Sequence, residues 1–128
     1  MSGNSGPGYA KNPGHRVDTR PAGVRVRVVF DGELIADTLG AVRLDEAGYP
    51  PVYYIPRADV KMEFLRRTDH GSYCPYKGQA SYFNIASGSR IASNAVWSYE
   101  QPYDEVGSIR EKLAFYPNRV DRIEVLPA

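Results

Sequence analysis

Between Val24 and Thr38 the chain carries the pattern that most limits how it can fold. Val24, Val26, Val28 and Phe30 alternate with Arg25, Arg27 and Val29, the period-two signature of a strand with one face buried. Asp31-Gly32 follows, the dipeptide favoured in a type I′ hairpin turn because both of its central residues take positive φ. Glu33 to Thr38 then returns as the partner strand. A hairpin this well marked commits the domain to antiparallel β structure.

Shorter runs repeat the same grammar. Ala41 to Leu44 reads as a third strand and Glu46-Ala47-Gly48 as a turn, while Val52 to Ile55, bracketed by Pro51 and Pro56, reads as a short edge strand. Arg57 to Val60 suits one helical turn before a strand from Lys61 to Arg67. Ala80 to Ile85 and Ala95 to Tyr99 are strands separated by a turn at Ser87-Gly88-Ser89. Pro102 to Lys112 is the one predicted α-helix. Val106, Ile109 and Leu113 share a stripe, with Asp104 and Glu105 in the first turn and Arg110 and Lys112 in the last. Gly107 weakens it by about 1 kcal/mol relative to Ala. Ala114 to Tyr116, a Pro117-Asn118 turn and Val120 to Leu126 read as a closing hairpin.

The prediction is a mainly β fold: a single antiparallel β-rich domain over 24–128, two sheets in a sandwich or an open tent, with one short α-helix. Residues 1–23 are rich in Gly, Pro, Ser and Asn, with Tyr9 and Val17 nearly alone as large apolar groups. Such a segment buries too little to offset its ordering entropy, so it is predicted to be a flexible N-terminal tail unless it clasps the domain or a second subunit.

Composition bounds the function. At 128 residues the chain is one domain's worth of protein. Sixteen Lys and Arg against 15 Asp and Glu leave a net charge of +1, which argues against nucleic acid or an anionic membrane, both of which select a basic surplus. Cys74 is the single cysteine and His15 and His70 the only histidines, so an intrachain disulfide and a four-cysteine zinc site are excluded. No metal or cofactor is expected. No apolar run approaches the roughly 20 residues of a membrane span, and the N-terminus lacks a signal-peptide layout. A cytoplasmic protein is the expectation, and the partners left open are a small molecule and a second copy of the chain.

The chemistry-bearing residues crowd between Tyr53 and Tyr99, around the hexapeptide Tyr73-Cys74-Pro75-Tyr76-Lys77-Gly78. Pro75 fixes its own φ and pushes Cys74 toward an extended shape, and Gly78 permits a turn that a side chain would resist. A stiff loop of this kind can present Tyr73 and Lys77. Strand alternation puts Ser81, Phe83 and Ile85 on one face, Ala80, Tyr82 and Asn84 on the other, and Trp97 with Tyr99 on a common face. Tyr54, Arg57, Tyr73, Tyr76, Lys77, Tyr82, Trp97 and Tyr99 are therefore the candidate lining of an aromatic pocket with cationic ends, suited to a small planar or anionic molecule. An aromatic core cluster behind a structural turn explains the same residues without a ligand. Cys74 and Lys77 are the candidates for covalent catalysis, since Lys77 or His70 beside Cys74 would favour the thiolate; a lone cysteine is more often a packing group. A third alternative is a structural protein that self-associates through its tyrosine-rich face.

Tyr54-Ile55-Pro56-Arg57, the Thr68 to Gly78 segment, Ala80-Ser81-Tyr82-Phe83, Ala95-Val96-Trp97-Ser98-Tyr99 and Phe115-Tyr116-Pro117 resemble a bacterial family of uncharacterised domains sometimes filed under a nucleotidyltransferase-like label. The resemblance covers about Val24 to Val125 and implies a β-rich, tent-like pair of sheets. Similar tents, those of the cereblon ligand-binding domain and of second-type methionine sulfoxide reductases, usually hold zinc between paired cysteines. This chain lacks those cysteines, so metal does not carry over. Nucleotidyl transfer needs carboxylates that hold divalent metal near a phosphate cradle. No Asp-x-Asp or Asp-x-Glu pair follows Gly88-Ser89 and no glycine-rich phosphate loop is present, so the label implies no activity here.

Overall fold

The computed structural model describes residues 3–128. Its strands are β1 (Val17–Pro21), β2 (Val24–Phe30), β3 (Glu33–Thr38), β4 (Val42–Glu46), β5 (Val52–Tyr54), β6 (Leu65–Cys74), β7 (Gly78–Ser87), β8 (Arg90–Tyr99), β9 (Ala114–Phe115) and β10 (Arg122–Pro127). All the strand pairings are antiparallel. The β2–β3 hairpin forms on the predicted turn, where Asp31 and Gly32 have φ of 53° and 74°. Both values suit the mirror-image turn that follows the strands' right-handed twist.

The strands form three sheets, β1-β4-β5, β10-β2-β3 and β6-β7-β8-β9, where two were expected. The segment read as a tail supplies one strand of the first sheet. Val17 to Pro21 pairs with Val42 to Glu46 along its whole length, and upstream a short helix, α1 (Pro7–Lys11), packs on the hexapeptide turn. Gly8 N donates to Pro75 O at 3.0 Å and the Tyr9 hydroxyl donates to Tyr76 O at 2.9 Å. Ser5 and Gly6 both donate to the Glu105 carboxylate. Composition misleads here because little side-chain burial is needed: hydrogen bonds hold the segment, and Gly8 lets backbone lie against the Tyr76 ring. A Cβ on Gly8 would stand 2.7 Å from Tyr76 Cε1.

Two further expectations are corrected. The predicted helix from Pro102 to Lys112 is instead a run of 3-10 turns over Asp104–Ile109, broken at Val106, whose φ and ψ are −123° and 30°. Its apolar stripe is real, since Val106, Ile109 and Leu113 are fully buried. The β-branched Val106 beside Gly107 lowers helix propensity in the middle of the run, and burial holds the turns without a helix. The closing hairpin does not form either. Pro117–Arg119 makes a 3-10 turn, so β9 pairs with β8 while β10 crosses to β2. Thr68 to Gly71 lies within β6 and bulges, shifting the register between Arg67 and Gly71.

Two apolar clusters hold the sheets together, and β7 serves both by alternation. Phe83 and Ile85 join Val26, Val28, Phe30 and Ile35 of the second sheet in the larger cluster. Ala80 and Tyr82 join Leu44, Tyr54, Tyr99, Val106 and Ile109 in the smaller one. Each buried Val, Leu, Ile or Phe among them contributes roughly 1.5–3 kcal/mol. The parity of β7 thus decides which side chains go to the larger core and which face the first sheet, where the cleft lies.

Candidate functional site

Tyr82 pairs across the β7–β8 ladder with Trp97, and Ala80 with Tyr99. These side chains look toward β4 and β5. The hexapeptide closes one end: Cys74 pairs with Gly78, leaving Pro75, Tyr76 and Lys77 as the turn, and Gly78 has φ of 114°, a value that favours glycine. Between the two layers lie two adjoining cavities. One, of about 370 Å³, is bounded by Glu46, Cys74, Lys77, Tyr82 and Tyr99. The other, of about 360 Å³, is apolar and bounded by Pro51, Tyr53, Ile55, Phe115, Pro117 and Ile123. Tyr49, Pro50, Val52, Trp97 and Tyr116 line both.

Trp97 is the wall between them. Its indole packs on Tyr116 with ring centroids 4.4 Å apart and meets Tyr54 edge-on at 6.3 Å. Trp97 Nε1 donates to the Tyr54 hydroxyl at 3.2 Å. Burial pushes the Tyr54 phenol up strongly and outweighs the indole's donation, which pulls the other way. Burial, and then the hydrogen bond with Tyr82, push the Tyr116 phenol up to about 12. Tyr116 is therefore a neutral hydroxyl at any ordinary pH.

The polar end is an ion cluster. Lys77 Nζ donates to Glu46 Oε1 at 2.8 Å, and His15 Nε2 lies 2.8 Å from Glu46 Oε2. The side chains of Lys77, Glu46 and His15 are 15%, 13% and 20% exposed, so the group is screened from solvent but not sealed. Burial alone would push the Glu46 carboxyl up; the hydrogen bonds from Lys77 and His15 outweigh it and hold the group below its ordinary value.

Of the residues singled out from the sequence, Lys77, Tyr82, Trp97 and Tyr99 come together at this cleft, with Cys74 beside them. Tyr54 is 1% exposed and stands behind Trp97 as its support. Arg57, Tyr73 and Tyr76 lie elsewhere. Arg57 sits over Phe83 at 5.5 Å, on the opposite face of β7, and bonds Ser98 Oγ at 3.2 Å and Glu100 Oε2 at 3.1 Å. Arg67 adds a two-pronged bond to Glu100; with Ser81 and Arg57 it overrides burial and holds that carboxyl at about 2. Tyr73 is an exposed partner of the Tyr103 hydroxyl at 2.6 Å. Tyr76 points to the N-terminal segment, with its ring 4.4 Å from that of His15 and 5.2 Å from that of Tyr9. Adjacent residues in a turn point different ways, which is why Lys77 enters the cleft and its neighbour Tyr76 does not.

Glu46, His15, Tyr49, Pro50 and Tyr116 escaped sequence reasoning as site residues. Glu46 reads as a turn carboxylate and His15 as part of a tail, and only the β1–β4 pairing brings them together. His70 packs on the Tyr82 ring at 4.5 Å. Among the described residues no three His, Cys, Asp or Glu side chains converge as metal ligands would, and no helix is long and apolar enough to cross a membrane.

The model of a family described as a domain of unknown function (DUF427), labelled NTP_transf_9, matches residues 18–126, and the chain belongs to that family. The match starts inside β1, so most of that strand lies within the family domain. No curated protein matches the chain.

Proposed function

We propose that this DUF427 domain is a binding module for a small planar molecule, seated in the two cavities that adjoin at Trp97. The observation that carries the reading is the placing of the chain's one tryptophan in a wall common to both cavities, beside Tyr49, Pro50, Val52 and Tyr116. A wall of aromatic and proline rings gives a flat ligand area and stacking at little entropic cost. Cavities of about 360 and 370 Å³ fall in the range of roughly 300–1,000 Å³ that suits small ligands. The ion pair of Lys77 with Glu46 suits holding a polar group better than supplying an amine nucleophile, which would have to be neutral.

A thermal-shift screen of planar metabolites tests this reading. Hits are expected to raise the melting temperature of the native chain, and Val52→Trp, which fills the shared space, should abolish the shift. No hit at all, or hits that stabilise the Val52→Trp variant equally, would remove the cleft as the binding site.

A further inference from the structure

The ion cluster at the hexapeptide end narrows the ligand further, on the premise that the cleft is the binding site. Lys77 is the one cation among the side chains that line the two cavities. Its ammonium has three N–H donors, and the hydrogen bond to Glu46 Oε1 uses one of them. Glu46 has Lys77 on one oxygen and His15 on the other. An ammonium ligand would therefore meet a carboxylate already engaged and a lysine that repels it. A phosphate dianion would meet a single cation with a carboxylate next to it, an arrangement that repels the second charge. A neutral group would leave the two remaining Lys77 donors poorly used in a site screened from water. A single carboxylate fits: it accepts from the free Lys77 donors, with the aromatic Tyr116 and Trp97 in the same lining. The apolar cavity beyond Trp97 has no charged residue in its lining and takes the rest of the molecule.

We infer that the ligand is an amphipathic monocarboxylate, an acid with a flat apolar body, whose carboxylate is held by Lys77 while its ring system crosses the Trp97 wall. Calorimetric titration at pH 7.5 with 2-naphthoate, 2-naphthamide and 2-naphthyl phosphate, which share one ring system, tests this. The carboxylate is expected to bind about tenfold tighter than the amide and tighter than the phosphate. In Lys77→Met the carboxylate-to-amide ratio should fall to within about twofold of one, while Lys77→Arg should keep most of the preference. The double variant Lys77→Met, Glu46→Gln guards against an unpaired Glu46 unfolding the cleft and should show the same lost preference. Equal affinities for amide and carboxylate in the native chain, or a preference for the phosphate, would overturn the head-group assignment and leave the cleft standing. No heat from any of the three probes would count against both readings.

Discussion

Tyr54→Ala is expected to destabilise the domain by about 3–5 kcal/mol, the range for truncating a buried aromatic side chain. Tyr54 is 1% exposed and belongs to the smaller core cluster. Its ring touches those of Trp97 and Tyr99, so truncation leaves a void under the cleft wall as well as losing buried area. Tyr54→Phe keeps the ring and removes only the acceptor for Trp97 Nε1, and because Trp97 is partly exposed water can replace that partner. The phenylalanine variant should cost only about 0.5–1.5 kcal/mol, the net value of one hydrogen bond. Urea denaturation followed by circular dichroism gives both numbers. A loss under 1 kcal/mol for Tyr54→Ala would mean that the cluster is not packed as described.

Glu46→Gln should be the second large effect, about 1–3 kcal/mol at pH 7. Removing one member of a fully buried ion pair costs roughly 3–5 kcal/mol because the other charge is stranded; this cluster touches solvent, so the figure is discounted. The substitution strands Lys77 and also releases His15, which loosens the N-terminal segment. The sign with pH follows from the direction of the shift. Glu46 titrates lower in the folded chain than its ordinary value of 4.5, so its contribution is full above that value and fades as the pH falls below it. The stability gap between native and Glu46→Gln chains should accordingly shrink between pH 7 and pH 3. A gap that stays constant would show that the charge of Glu46 contributes nothing.

The fold was legible where the sequence is locally self-consistent. Alternation and an Asp31-Gly32 turn set β2 and β3 to their observed bounds, and the parity of β7 separates Tyr82 from Phe83 without any knowledge of the partners. It was illegible where a partner far away in sequence decides. Val17 to Pro21 has no strand pattern of its own and is a strand because β4 offers it an edge. Val106 and Ile109 have helical spacing, yet burial satisfies them in 3-10 turns. The site divides in the same way. Trp97, Tyr99, Tyr82 and Lys77 follow from strand parity and the hexapeptide turn, whereas Arg57 was assigned by chemistry alone and is committed to Glu100. Glu46 and His15 are 31 residues apart, a pairing that only the completed first sheet creates.

The central claim is that the Trp97 cleft is where this domain meets its ligand, and the chain's single tryptophan makes that directly readable. Its indole N–H gives one side-chain resonance in a nitrogen-15 correlation spectrum, to be followed during titration with 2-naphthoate. The account predicts that this resonance moves together with the amides of Val52, Lys77 and Tyr116, while those of Arg67 and Glu100 on the opposite face stay still. Shifts confined to the Arg67–Glu100 face, with the Trp97 indole unmoved, would contradict it.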